Sequence, residues 1–328
     1  MAARQLYKQI ISHFPEQNMA FAYGSGVFKQ LGHTDPTKNM LDFFFVVDDP
    51  VEWHRANIAK NRSHYSFLKY LGSRRVANIQ EKHGAGVYFN SRVMCEERLI
   101  KYGVISTRRL TADLLDWDTL YVGGRLHKPV MILKEPSGEN LKAALHTNLA
   151  SAVHTALIIL PEHFTEEELY CTICNLSYSG DFRMVIGEDK NKVRNIVKPN
   201  MEKFRELYEG ILDHEDNVNW CKSQGRLEQL KDPAAIFHHL SLLPKTLEER
   251  LVDFYNRDKR TRDAEEVLRI CAKDYECGEV VGNCVSKIVS YSSWSQSAKS
   301  IWTAGIMKSF WYSLEKLKKM NKGSKKEM

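Results

Sequence analysis

"FAYGSGVFKQLGHTDPTKNMLDFFFVVDD", residues 21–49, holds an apolar run, a Gly-Ser-Gly turn, a short polar segment and a second apolar run with one carboxylate, Asp42, near its head. Aromatic and β-branched residues bounded by glycine and aspartate form strands, so the stretch reads as strand, turn, strand. A Gly-Ser turn that leaves a strand and opens a helix presents backbone N–H groups to an anion. The missing Cβ lets a phosphate come close. A carboxylate on the adjacent strand can hold Mg²⁺ bridging the same phosphates. Gly24, Ser25 and Asp42 therefore fit the logic of nucleotidyl transfer: cradle a triphosphate, neutralise it, and align a nucleophile with the α-phosphorus. A strand-turn-strand with one edge acid is common, so spacing alone does not single this chemistry out. The turn is not a dinucleotide fingerprint, because Lys29 stands where the third glycine is required, and no GK[ST] occurs.

Outward from this stretch, strand-like and helix-like pieces alternate to about residue 135. "MAFAYG" (19–24), "MLDFFFVVD" (40–48), "GVYFNSRV" (86–93), "LIKYGVIS" (99–106) and "TLYVGGRLHKPVMIL" (119–133) predict strands. "PVEWHRANIAKN" (50–61) and "TRRLTADLLDW" (107–117) predict helices. The pattern is α+β around a mixed sheet. "KEPSGEN" (134–140) clusters Pro, Ser and Gly and marks a domain boundary, after which long helices follow. Thr165 before "EEEL" is a capping signature, and "DFYNRDKRTRDAEE" (253–266) reads as an exposed connector. The expected domains are 1–137, 138–290 and a terminal segment 291–328.

A chain of 328 residues can bury a sizeable core, and 43% hydrophobic with 27% charged residues is an ordinary globular composition. The net charge of +6 is modest and does not by itself require an anionic partner. Seven scattered cysteines argue for a reducing compartment. Cys171 and Cys174 form a lone CxxC inside a helical pattern, which favours two helix cysteines over metal or redox work. No apolar run approaches the ~18 residues that span a bilayer. In the N-terminal stretch Leu6, Ile10 and Phe14 recur at helical spacing, the first helix of the fold rather than a targeting helix.

On a helical wheel from Trp294 onward, Trp302, Ile306 and Phe310 share a face, while Lys308, Lys318 and Lys319 gather on the other side. Such a helix suits an anionic membrane surface: rings enter the acyl boundary and lysines meet headgroups. A terminal helix docked on the protein's own core gives the same pattern; the two tryptophans tilt the reading toward membrane.

The blocks "FAYGSGVF", "LDFFFVVDDPVEWHRANIAKN", "HYSFLKYLG", "GAGVYFN", "IKYGVIS", "GRLHKPV", "LSYSGDFRM", "KVRNIVKPN" and "WTAGIMKS" occur in order from about residue 15 to 320. Together they closely resemble the mitochondrial phosphatidate cytidylyltransferases, the peripheral CDP-diacylglycerol synthases of the translocator assembly and maintenance type. The resemblance implies a nucleotidyltransferase-fold domain, a helical domain resembling a winged helix, and a membrane-binding C-terminal helix. The implied reaction is CTP plus phosphatidic acid giving CDP-diacylglycerol and pyrophosphate, with Mg²⁺, for mitochondrial phospholipid (cardiolipin) synthesis. The implied place is the matrix side of the inner mitochondrial membrane, as a peripheral protein.

In the general nucleotidyltransferase pattern the strand carries two acids two residues apart. Asp42 matches the first, but Phe44 stands at the second. Asp48 is on the same strand face yet roughly 20 Å of extended chain away. Asp42 is the expected metal ligand, and Asp181 in "SYSGDFRM" the candidate second carboxylate, with a cap or turn role as its alternative. Lys101, Arg125, Lys128 and Arg183 are candidate ligands of the triphosphate or lipid phosphate, with Lys128 placed at the reacting centre. His54 and Asn57, one helical turn apart, are candidates to read cytosine or ribose, as are His64 and Tyr65; each can equally cap or pack.

Three readings remain. The first is CTP:phosphatidate cytidylyl transfer. The second is a nucleotidyltransferase with another acceptor, such as RNA or protein; dispersed basic residues argue against nucleic acid. The third is a non-catalytic membrane adaptor or translocase assembly factor with a degenerate nucleotide fold, which Phe44 keeps open. Oligomeric state is not legible.

Overall fold

A computed structural model describes residues 2–31, 39–186, 191–258 and 261–304. Helix α1 (Ala2–Ser12) leads into strand β1 (Met19–Tyr23), then β2 (Leu41–Val47), α2 (Pro50–Lys60), α3 (Ser73–Lys82), β3 (Val87–Cys95), β4 (Arg98–Ser106), α4 (Thr107–Leu115), the short α5 (Gly123–Leu126) and β5 (Met131–Lys134). The five strands form one mixed sheet in the order β3-β4-β2-β1-β5; β2 runs parallel to β4 and antiparallel to β1.

Strand β2 is the centre of this sheet and is covered on both faces, which is why its sequence is nearly continuous in apolar residues. Leu41, Phe43, Phe45 and Val47 face Tyr7 and Ile10 of α1, Phe14 just after it, and Trp53 of α2. The alternate residues Phe44 and Val46 face Leu110 and Leu114 of α4 and Leu141 and Ala144 further on. Tyr7, Ile10 and Phe14 are all buried, so the N-terminal helix is part of the fold. Just after β2, Asp49 caps α2 by accepting from the N–H groups of Val51 (2.8 Å) and Glu52 (3.1 Å), with Pro50 at the first helical position.

One predicted strand is absent. Residues 119–128 do not extend, because the buried Asp113 carboxylate gathers the local donors. It accepts from Thr119 N (3.1 Å) and Oγ1 (2.5 Å) and from Val122 N and Gly123 N (2.8 Å each). Trp117 and Leu120 take left-handed backbone angles to make the turn, and only Met131–Lys134 remains a strand. Arg125 and Lys128 are therefore carried by a turn and a short helix.

The rest of the described chain is mainly helical: α6 (Glu139–Ile159), β6 (His163–Thr165), α7 (Glu166–Leu176), α8 (Phe182–Ile186), α9 (Lys192–Val197), α10 (Met201–Leu212), β7 (Val218–Cys221), β8 (Arg226–Gln229), α11 (Pro233–Leu240), α12 (Lys245–Tyr255), α13 (Ala264–Cys271) and α14 (Cys277–Ala304). Strands β6, β8 and β7 make a small antiparallel sheet in that order. The capping signature is realised: Thr165 Oγ1 accepts from Glu168 N at 3.2 Å, and Glu168 accepts from Thr165 N at 2.8 Å. Cys171 and Cys174 are free thiols on α7, the latter wholly in the core.

The two cores interlock. Leu141 and Ala144 at the start of α6 pack on the first sheet, while Trp117 and Leu120 belong to the second core. Helix α14 runs unbroken through residue 291. Its first half lies in the second core, and its second half bonds to the first domain. Gln296 accepts from Ala85 N at 3.0 Å, and Lys299 Nζ donates to the carbonyls of Gln80 (2.9 Å) and His83 (2.7 Å). Up to residue 304 one side of α14 docks on the protein: Ser292, Ser293, Gln296, Lys299 and Thr303 are buried, while Trp294 stacks on Phe182 at 4.1 Å and stays largely exposed. Nothing is described of the Trp302 side chain, and Ile306, Lys308, Phe310, Lys318 and Lys319 lie outside the described residues. Among the described residues no helix is long and apolar enough to cross a membrane.

Phe44 stacks on Phe21 and Tyr23, with ring centroids 5.3 Å from each, and meets Phe89 edge-on at 5.6 Å. Phe44→Ala should lower the unfolding free energy by about 3–5 kcal/mol, read from a chemical denaturation midpoint. A loss below ~1 kcal/mol would contradict its role as a packing residue.

Candidate active site

The site begins where β1 ends. Gly24 has φ +81°, and a Cβ there would stand 3.5 Å from Asp42 Oδ2, so the turn lies directly against the carboxylate. The Gly24 carbonyl accepts from Val27 N (3.1 Å) and Phe28 N (3.0 Å), closing a helix-like turn. Gly26 is required by space: a Cβ there would come within 2.9 Å of Leu41 Cδ2 and the Met40 carbonyl. Asn39 Nδ2 donates to the Ser25 carbonyl at 3.2 Å and holds the turn over the head of β2.

Sheet register then sets a polar row across this end. Asp42 is paired with Tyr23 on one side and with Lys101 on the other. The Arg125 guanidinium lies 4.7 Å from the centre of the Tyr23 ring, and Lys101 Nζ 4.3 Å from that of Phe89. Burial raises the Tyr23 phenol well above its ordinary range; Asp42 adds to this, and Lys101 and Arg125 oppose it. One buried tyrosine is thus surrounded by Asp42, Lys101 and Arg125.

Arg125 also reaches a second group of charges. It lines a narrow cleft with Lys128, Asp181, Arg183 and, from α14, Ser292 and Ser293. The double glycine before Arg125 permits this approach. A Cβ on Gly123 would stand 2.8 Å from the Asp113 carbonyl, and one on Gly124 would stand 2.4 Å from Ser177 Cβ. Lys128 is buried, donates to the Gly124 carbonyl (2.5 Å) and Ser177 Oγ (2.6 Å), and sits 4.8 Å over the Tyr178 ring. Burial pushes its ammonium down to about 7; Cys174 opposes this, and Arg125 and Lys192 add to it.

Asp181 is buried and engaged by Arg183 as a fork: Nε donates to Oδ1 (2.9 Å) and Oδ2 (3.0 Å), and Nη2 to Oδ2 (2.5 Å). The Arg183 backbone N–H adds a fourth bond at 3.0 Å. A carboxylate so held positions the arginine in the cleft, so Asp181 as placed is an anchor rather than an open metal ligand.

The structure brings Gly24, Ser25, Asp42 and Lys101 together at the sheet end, and Arg125, Lys128, Asp181 and Arg183 in the cleft. Four candidates, His54, Asn57, His64 and Tyr65, go elsewhere. His54 is fully buried, with Nδ1 2.8 Å from Tyr65 Oη and Nε2 2.9 Å from Gln80 Oε1; burial lowers it to about 4. Asn57 donates to Tyr65 (2.9 Å) and Tyr102 (3.1 Å) and accepts from Asn61 (2.8 Å). Both belong to a polar network beneath α2, which corrects their reading as base or ribose contacts. Tyr65 is in the same network, and His64 bonds Tyr102 at 3.1 Å. Asp48 is bound by Thr107 and Asn18 at the far end of β2, away from Asp42. Sequence reading passed over Tyr23, Ser177, Tyr178 and the Ser292–Ser293 pair. The signal for Ser177 and Tyr178 was present in the "LSYSGDFRM" block.

The donor set fits a magnesium nucleotide. Mg²⁺ is commonly held by one or two carboxylates plus substrate phosphates. Asp42, against a turn whose Gly24 has no Cβ, can supply one carboxylate. Phe44 fills the position of a second acid with core, so this strand offers one carboxylate.

A sequence model of "Phosphatidate cytidylyltransferase, mitochondrial" matches residues 7–319. The chain belongs to this family. A Danio rerio protein of the same description is 54% identical over 97% of this chain and 95% of its own length. Relatives from Mus musculus (52% identical; 96% of this chain, 94% of theirs) and Caenorhabditis elegans (40%; 96% and 98%) carry the same description. The Asp42–Arg125 geometry described above is therefore set in a chain that aligns with the family through nearly all of its length.

Asn57→Ala should weaken folding by about 1–3 kcal/mol, because it strips two buried tyrosines of a partner, while CTP affinity stays as in the parent. A tenfold affinity loss at unchanged stability would place Asn57 in the nucleotide site after all.

Proposed function

We propose that this chain is a CTP:phosphatidate cytidylyltransferase whose nucleotide lies over the Gly24–Ser25 turn and whose second phosphate-bearing substrate meets it from the cationic cleft. The observation that carries the reading is Arg125, which both faces the Tyr23–Asp42 row and lines the cleft with Lys128 and Arg183. Two polyanions must approach for this reaction, and such a bridge of positive charge opposes their repulsion.

In the reaction a phosphatidate oxygen forms a bond to the α-phosphorus of CTP, and the bond from that phosphorus to the bridging oxygen of pyrophosphate breaks. The attacking oxygen is already anionic near neutral pH, so a general base would add little. What the chain must do is orient and neutralise. The backbone of Gly24 and Ser25 receives the triphosphate; Lys101 and Arg125 balance its charge; Lys128 and Arg183 hold the lipid phosphate in line. Asp42 would hold Mg²⁺ against the triphosphate, where the ion supplies charge neutralisation. Asp181 acts through Arg183.

Pyrophosphate release from phosphatidate liposomes with CTP and Mg²⁺ should fall by about 10²–10³-fold in Asp42→Ala, by analogy with loss of one transition-state partner. Full activity in that variant would remove the metal role, and no activity in the folded parent would favour a non-catalytic membrane adaptor.

Lys128 gives a pH signature. Its folded-state value lies near 7, so the free protein carries that charge below about 7 and loses it above. The CTP or phosphatidate affinity that depends on the charge should begin to fall as pH rises through about 7. Affinity ratios of parent to Lys128→Met should shrink over the same range. A ratio constant between about pH 6 and 8 would show that Lys128 does not titrate there.

Phosphatidate stays in the bilayer, so a peripheral enzyme must sit on an anionic surface. The basic, aromatic sequence of residues 305–328 supports attachment there, on the matrix side of the inner mitochondrial membrane. Removing residues 305–328 leaves the Gln296 and Lys299 contacts in place. It should abolish liposome turnover while CTP binding survives; undiminished liposome binding by the shortened chain would exclude this anchor.

A further inference from the structure

Outside the cleft, four ligating side chains converge in the second domain: His154 of α6, His238 and His239 of α11, and Glu215 in the α10–β7 turn. They come from three separate elements, and their ligand atoms all lie within 4.8 Å of one another. His154 Nδ1 is 3.1 Å from His239 Nδ1 and 3.5 Å from Glu215 Oε2; His238 Nε2 is 3.7 Å from Glu215 Oε1. A tetrahedral zinc ion with bonds of about 2.0–2.1 Å has ligand-to-ligand edges of about 3.3–3.4 Å. The three distances, two of them to different oxygens of Glu215, lie close to that edge, and the whole set of ligand atoms spans at most 4.8 Å.

The surroundings suit an ion. His154, His239 and Glu215 are buried, whereas His238 is half exposed beside a surface hollow shared with Glu215, which gives an entry path. Asn217 Nδ2 donates to Glu215 Oε1 at 3.1 Å and orients the carboxylate from behind, the usual outer support of a metal ligand. Two imidazole Nδ1 atoms facing each other at 3.1 Å can share only one proton, and a cation between them and the carboxylate gives both Nδ1 lone pairs a partner.

We propose that His154, Glu215, His238 and His239 form a binding site for a zinc-class divalent cation. Three nitrogens and one carboxylate oxygen select zinc or a neighbouring transition metal over Mg²⁺, which takes oxygen ligands. None of the four lines the cleft, so the ion ties α6 to α11 and to the α10–β7 turn and does not take part in phosphoryl chemistry.

The test uses the full chain, stripped with a chelator and then titrated with ZnCl₂ in competition with a chromogenic chelator, in buffer containing excess Mg²⁺. About one equivalent of zinc should bind, raise the thermal midpoint, and give the visible bands of a tetrahedral ion when Co²⁺ replaces it. His238→Ala changes a half-exposed side chain and Glu215→Gln keeps its shape, so both should fold by circular dichroism. Each should bind zinc on the order of tenfold more weakly or worse. Failure of the parent to bind a stoichiometric ion overturns the proposal. So does parent-like binding in both folded variants, which would assign the zinc to other ligands such as cysteines.

Discussion

Phe44 lies stacked on Phe21 and Tyr23, and that packing sets how many carboxylates the central strand offers the site. The face of β2 that carries Asp42 is covered by α4 and α6 from Phe44 onward, so a charge two residues beyond Asp42 would be buried without a partner. Opposite Phe44, Gly103 leaves room for the ring: a Cβ there would stand 2.7 Å from both Phe44 and Phe89. The strand presents one acid at its open end and commits the rest to the core. Beside that one carboxylate stand two cations, Lys101 and Arg125, and Arg125 leads on to Lys128 and Arg183 in the cleft.

Those cations converge because the five-stranded sheet and the helical part of the chain interlock. Asp113 folds residues 119–123 into a turn that brings Arg125 over Tyr23, and Gly124 lets that turn touch Ser177 at the end of α7. Gly180, at φ +78°, brings the next turn against α14, where a Cβ would stand 2.1 Å from the Ser286 carbonyl. Helix α14 then crosses to the first domain through Gln296 and Lys299. Cleft geometry is thus tied to the interlock, and its floor and walls come from three parts of the chain distant in sequence.

What was legible in the sequence was local. The strands around Asp42, the caps at Asp49 and Thr165, and the helical CxxC all follow from periodicity and short-range hydrogen bonding. The misread elements turn on partners far along the chain or on burial. "TLYVGGRL" has strand composition, yet a buried carboxylate six residues upstream of Thr119 organises it as a turn. His54 and Asn57 share a helix face, but only the packed structure shows that Tyr65, Gln80 and Tyr102 consume their polar atoms. Asp181 and Arg183 are two residues apart, and their mutual fork turns the expected metal carboxylate into a partner of the arginine. The wheel drawn from Trp294 mixed residues that dock on the first domain with the basic segment that follows them.

The central claim is that Asp42 and the Gly24–Ser25 turn together hold the metal end of a triphosphate. Its most direct test is a crystal structure with CTP and Mn²⁺ in place of Mg²⁺, examined by anomalous scattering. The expected result is a manganese peak beside Asp42, with the triphosphate over Gly24 and Ser25 and Arg125 within reach of a phosphate oxygen. A peak held by Asp181, with Asp42 remote from the ion, would contradict the account.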